Sequence, residues 1–214
     1  RTIKEDRYES EEMSWHCMSH CNQDEKSAKE EIQRMPKSDQ NAAHYFIETH
    51  LEAGRGEAIA FIEAASGKRI SYSTLSANSS KVAGALTRAG IKREERAAIL
   101  MLDSIDYVEV FWGCLKAGVI AVPINTLLAG AVYDTILSDS RASCLFVSAA
   151  LLQVVEPVLA KNDHIRKVIV VGDHPLEDGF ESYQTFTKGA PEQAAGAVSP
   201  DETAIVLTPY IVFD

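Results

Sequence analysis

The sequence predicts an α/β fold with a mainly parallel sheet flanked by helices. Three observations lead there. Apolar runs of strand length, AAILML (97–102), VIAV (119–122), CLFV (144–147) and KVIVV (167–171), lack the polar alternation of a half-exposed sheet, as expected of strands covered on both faces. Segments of helical periodicity separate these runs. Glycine, proline or a capping residue stands at most junctions. Repeated strand–helix–strand units of this kind imply parallel neighbours joined by right-handed crossovers.

Each element has a local reason. Phe46, Ile47 and Leu51 suit one face of an opening helix that Gly54 ends. AIAFIEA (58–64), a turn at Ser66-Gly67 and RISY (69–72) read as a β-hairpin. Ser73 is expected to cap a helix whose Leu75, Val82, Leu86 and Ala89 share a face, with Gly90 at its end. After the strand 97–102, Asp103 or Ser104 caps a second helix, where Val108, Phe111, Trp112 and Leu115 fall at i, i+3, i+4 and i+7. Gly118 closes it, and Pro123 stops the strand 119–122. Helices near 129–138 and 149–160 fill the gaps between the remaining strands. From Gly172 to about 200 the pattern is that of loops, and TAIVL (203–207) offers one more strand.

Residues 1–40 differ from the rest. They hold seven basic and ten acidic residues, no glycine and only scattered apolar residues such as Ile3, Trp15 and Ile32. Such a segment buries too little surface to offset its ordering entropy, so a disordered, mobile arm is expected over 1–40 and a globular domain over 41–214.

The 214 residues are 46% hydrophobic, enough for one sizeable core. With 21 basic against 31 acidic residues the formal charge is −10, which repels phosphate backbones and argues against general nucleic-acid binding. No apolar run approaches the roughly 20 residues of a membrane-spanning helix, and the start lacks the apolar centre of a secretory signal. Four cysteines in this length make no disulfide framework, so a cytoplasmic setting is expected. The chain begins on Arg1 and stops at Asp214 just after an apolar run, which reads as a piece of something longer.

Candidate chemistry is sparse. His16, Cys17, His20 and Cys21 put four potential ligands within six residues. On a helix they fall on two neighbouring faces, which suits chance clustering better than one tetrahedral zinc. Ser66-Gly67-Lys68 resembles the end of a phosphate loop, but position 62, where that loop needs glycine, is Ile. A hairpin turn is the expectation. Asn78-Ser79-Ser80 matches a glycosylation acceptor inside a helix and reads as helix surface. Cys114 and Cys144 read as small core residues, and His44, His50, His164 and His174 lack a local catalytic signature. Because parallel sheets bind ligands beyond the carboxyl ends of their strands, Asp103-Ser104 and Pro123-Ile124-Asn125-Thr126 are the candidate loops. Capping for the first and a turn for the second are their plainer roles.

The motifs taken together resemble a known family. IKREERAAILMLDSIDYVEVFWGCLKAGVIAVPINTLL (91–128) is similar to the N-terminal region of the AMP-forming acyl- and aryl-CoA synthetases, nearest to the benzoate-CoA ligase branch. A Y-x-x-L helix start matches Tyr72 to Leu75, a G-(V/I)-x-x-x-(D/E)-R-V strand entry matches Gly90 to Ala97, and LKAG-x-x-x-VP-(I/V)-N matches Leu115 to Asn125. Leu137–Ala142 resembles the LxDSRA segment of that branch. The likeness covers about 41–207.

The resemblance implies a partial N-terminal subdomain of the adenylate-forming enzyme fold. It also implies ATP, Mg²⁺ and coenzyme A as the reactants and cofactors of the full-length family, with an aryl acid such as benzoate as the substrate class. In that family a Ser/Thr/Gly-rich loop ending in Pro-Lys follows the strand matched by TAIVL, whereas this chain reads Thr208-Pro209-Tyr210-Ile211-Val212-Phe213-Asp214. The resemblance therefore assigns no catalytic, cofactor-binding or metal-binding residue here. The piece is expected to be inactive alone, as a truncated chain, a splice product or a pseudo-enzyme. Self-association through uncovered sheet is expected with it. The competing class is a non-catalytic binding or interaction module that reuses the scaffold.

Overall fold

The computed structural model describes residues 40–175, 179–199 and 201–207. The expected arm, apart from Gln40, lies outside the described residues, as do the His16–Cys21 cluster and Thr208–Asp214. Among the described residues no helix is long and apolar enough to cross a membrane.

A π-helical turn over His44–Glu48 opens the fold and runs into α1 (Thr49–Glu52). Ile47 is buried and Leu51 half-buried, but Phe46, expected on the same face, is 56% exposed with its ring 5.9 Å from that of Trp112. In an i→i+5 turn, residues four and five apart stack, which groups Ala43, Ile47 and Glu48 and leaves Phe46 outside. The hairpin follows as β1 (Ile59–Ile62) and β2 (Arg69–Ser71), antiparallel. Its turn depends on Gly67, whose φ of 71° is open to glycine at no steric cost.

Helix α2 (Tyr72–Arg88) starts two residues earlier than its sequence indicates. Ser71, not Ser73, is the cap: its Oγ accepts from Thr74 N at 3.3 Å. Ser71 ends β2 in extended backbone, which is the conformation a cap needs, while Ser73 is already helical. β3 (Arg96–Leu100) leads to α3 (Ile105–Ala117), capped by Ser104 Oγ on Tyr107 N at 3.2 Å and closed by left-handed Gly118. The expected stripe on α3 is displaced: Leu115 is buried, but Val110, Gly113 and Cys114 form the deeper ridge and Val108, Phe111 and Trp112 are half-buried. Next come β4 (Ile120–Pro123), α4 (Gly130–Ser140) and β5 (Cys144–Ser148). A 3-10 turn (Ala149–Leu151), α5 (Leu152–Leu159) and β6 (Lys167–Val171) continue the alternation.

Two further elements lie where loop was expected: β7 (Phe180–Ser182) and α6 (Tyr183–Thr187). The expected strand 203–207 is reduced to a parallel bridge between Ile205 and Ala121, held by Ala121 N on Ala204 O and Val206 N on Ala121 O.

The five-stranded sheet is parallel throughout, in the order β4-β3-β5-β6-β7. Alternate residues face opposite sides. Ala97, Ile99, Phe146 and Ile169 pack with α2, α3 and α6, while Ala98, Leu100, Leu145 and Val170 pack with α4 and α5. This double cover is why the strands read as unbroken apolar runs. The chain leaves β3 toward β4 through α3 on one face, then crosses back to β5 through α4 on the other. Reversing direction and face together preserves one crossover hand and creates a switch point between β3 and β5.

Candidate functional site

At the switch point the carboxyl ends of β3 and β5 are tied by a hydrogen bond from Leu102 N to Ser148 Oγ at 3.0 Å. On the other side of β3, Ile124 N donates to Ile99 O at 3.0 Å. Both candidate loops thus sit at one edge of the sheet. Ser104 serves as cap, and Asn125 Oδ1 accepts from Leu127 N at 2.9 Å, an Asx turn. The first loop opens on a cavity.

That cavity, about 430 Å³, lies between the end of β1 and the start of α3. Phe61, Ile62 and Val108 supply apolar wall, and Glu63, Asp103 and Ser104 the polar rim. Glu63 binds Ser66 Oγ and accepts from Ile105 N at 3.4 Å, which joins hairpin to helix. Burial pushes the Asp106 carboxyl upward, Lys68 pulls it back and Glu63 adds to the rise. Burial also raises the Tyr107 phenol, helped by Asp103. No lysine or arginine lines this cleft. Its chemistry suits an apolar or aromatic body and offers no cation to neutralise a phosphate.

Two buried polar networks lie behind the cleft, between α2 and α3. Glu109 accepts from Asn78 Nδ2 at 2.7 Å and from Tyr183 OH at 2.8 Å. Desolvation raises its carboxyl despite both bonds. It raises the Tyr183 phenol still more, with Glu109 adding to the rise. Lys116, with no exposed surface, places Nζ 2.6 Å from Glu48 Oε1, 3.0 Å from Ser76 O and 2.9 Å from Ser80 Oγ. Burial lowers this ammonium, opposed by Glu48. Sequence reasoning missed both networks. Their signal was a glutamate and a lysine seven residues apart within the largely apolar stretch Val108–Ala117.

The other candidates resolve simply. Ser66-Gly67-Lys68 is the hairpin turn, with Gly67 N on Glu63 O at 2.8 Å. Asn78-Ser79-Ser80 is not helix surface: Ser79 and Ser80 are buried and Asn78 reaches Glu109, because α2 and α3 approach closely at Gly113. Cys114 and Cys144 are core residues whose thiols burial pushes up, that of Cys144 to about 12. His44 Nε2 lies 3.7 Å from Glu52, His50 stacks on Tyr72, and His164 and His174 sit in separate loops. Among the described residues no three His, Cys, Asp or Glu side chains converge as metal ligands.

Residues 48–208 match the family of AMP-binding enzymes. The 4-hydroxybenzoate-CoA/benzoate-CoA ligase of Rhodopseudomonas palustris is 36% identical over 163 residues, 76% of this chain and 29% of that enzyme. An anthranilate-CoA ligase solved with anthranoyl-AMP superposes with a TM-score of 0.72 at 26% identity, over 81% of this chain and 33% of that one. A benzoate-CoA ligase from Burkholderia xenovorans gives 0.67 at 30% identity, over 77% and 32%. The chain spans about a third or less of these three proteins.

Proposed function

The chain belongs to the AMP-binding enzyme family, and we propose that it forms the N-terminal part of an ATP-dependent, AMP-forming ligase that joins an aromatic carboxylate of the benzoate class to coenzyme A. In this reading the carboxylate attacks the α-phosphate of ATP, expelling pyrophosphate, and the thiol of coenzyme A then displaces AMP. The 36% identity to a 4-hydroxybenzoate/benzoate ligase carries the aryl assignment. The apolar cleft at the carboxyl edge supports it as wall material for a flat acid.

The 214 residues acting alone do not adenylate. Residues 203–214 hold neither glycine nor lysine, so the departing pyrophosphate has no cradle or cation there. The other reading, a non-catalytic module on the same scaffold, is supported by the same composition. Exposed Ile205 and Leu207, beside β4, support self-association of the chain.

One pair of experiments separates these readings. The isolated chain should show no benzoate-dependent exchange of pyrophosphate into ATP. Residues 41–207 grafted in place of the matching third of the Rhodopseudomonas enzyme should restore benzoyl-CoA formation. A folded graft that turns over no aromatic acid would sink the ligase reading, and exchange by the isolated chain would sink the claim of inactivity. In size-exclusion chromatography with light scattering, a strict monomer would remove self-association.

A further inference from the structure

We infer that the opening segment, residues 41–52, is a detachable clamp on the wall of the cleft, with the buried Lys116–Glu48 pair as its catch. The apolar anchorage of the segment is shallow: half-buried Leu51, the Phe46 ring against Trp112 and the His50 ring stacked on Tyr72 lie at its margin. Ala43 and Ile47 are its only fully buried apolar side chains, and Tyr45 and Phe46 are more than half exposed. Its deepest hold besides Ala43 and Ile47 is polar. Asn41 Nδ2 donates to Leu115 O at 2.9 Å and Gly196 O at 3.1 Å. Glu48 meets Lys116 Nζ at 2.6 Å and takes the Ser76 hydroxyl at 2.8 and 2.9 Å.

The catch is a charge pair of unequal burial. Lys116 has no exposed surface, whereas the Glu48 side chain is 22% exposed. The other groups on the ammonium, Ser76 O, Ser76 Oγ and Ser80 Oγ, are neutral, and Glu192 acts on it from farther away. Among the described residues only Glu48 cancels the charge at contact. With the clamp lifted, α3 would keep a buried cation whose carboxylate had left, so closing the clamp and neutralising Lys116 are one event.

The clamp bears on the cleft through a small core of its own. Ile47 packs with Ile70 of the hairpin, Leu75 of α2 and Ile105 of α3, and Ile105 lines the cleft. Removing Ile47 uncovers the inner side of both cleft walls at once. The π-turn fits this role: it is a geometry rarely stable unsupported, and here Ile47 and Glu48 both find inward partners. Local opening of this kind is the ordinary behaviour of segments with few apolar contacts.

Hydrogen exchange on the full chain tests the idea. In Glu48→Gln, amides of 43–52 and of the hairpin, 59–71, should exchange at least tenfold faster, while β3, β5 and β6 keep their protection. A hydrophobic dye should bind the variant more than the parent. Adding Lys116→Met removes the stranded charge, so the double variant should regain most of the protection and lose the dye. Unchanged exchange in 43–52, an equal rise throughout the sheet, failure of Glu48→Gln to fold, or a double variant worse than the single one would each overturn the inference.

Discussion

Replacing Gly113 by alanine tests the closest helix contact in the fold. Alanine in mid-helix is ordinarily about 1 kcal/mol better than glycine. Here the added Cβ would stand 2.5 Å from both Cβ and Cγ1 of Val82 and 3.0 Å from Ser79 O. Carbon atoms rest about 3.5–4.0 Å apart, so α2 and α3 must part by roughly 1 Å. Overpacking of this order costs about 1–3 kcal/mol, which outweighs the propensity gain. The expected net is a loss of about 1 kcal/mol, or about 2–4 °C in melting midpoint for a chain of this size. The separation also strains the Asn78–Glu109 and Ser80–Lys116 bonds, which cross the same interface. Urea unfolding would measure it, with Gly130→Ala as control, since that Cβ meets Val154 O at an ordinary 3.7 Å. Val82→Ala in the Gly113→Ala background should show a favourable coupling of about 0.5 kcal/mol or more. A gain in stability from Gly113→Ala alone would refute the close approach.

Ser71→Ala should cost about 1 kcal/mol of unfolding free energy, and Ser73→Ala clearly less, because only Ser71 caps α2. Glu109, raised chiefly by burial, binds its proton more tightly folded than unfolded. Its stabilising contribution is therefore complete below its ordinary 4.5 and is lost as pH rises through the elevated value. Glu109→Gln should flatten that decline in unfolding curves taken from pH 4 to 7, and an unchanged slope would contradict the assignment. With Cys17 and Cys21 changed to serine, Cys114 and Cys144 should resist a disulfide reagent at pH 8 until denaturant is added, being buried and raised by desolvation.

Strands β3 to β6 were legible because cover on both faces leaves no room for polar alternation, so 144–147 and 167–171 announce themselves. β7 was not, since Phe180–Ser182 is a half-buried edge of three residues with nothing apolar after Phe180. The helix cap slipped by two positions because Ser71 and Ser73 are equivalent in type. What separates them is Tyr72 N bound to Ala58 O, a contact set by the hairpin rather than by neighbours in sequence. The candidate loops were found by the rule for parallel sheets, and the cleft beside Asp103 was not. Its second wall is the hairpin, some 40 residues distant in sequence. Asn78, Ser79 and Ser80 looked like surface because polarity usually means water. Against a glycine on the facing helix small polar side chains fit, and Glu109 takes the Asn78 amide and Lys116 the Ser80 hydroxyl as partners.

The bridge between Ile205 and Ala121 has a consequence in time. Ala121 waits for backbone partners that lie 83 and 85 residues further along, at Ala204 and Val206. At a synthesis rate of about 5–20 residues per second, that is roughly 4–17 s. β3, β4, β5 and β6 pair among themselves and are all synthesised by Val171, before either partner of Ala121 exists. In that interval the outer side of β4 is an unpaired template on a nearly formed sheet, the stage at which a nascent chain most readily captures a neighbour's strand. Pro123, which has no N–H to offer, shortens that template at one end. Variants that slow the return of 203–207 should therefore lower the yield of folded chain during synthesis while leaving the finished protein's melting point nearly unchanged.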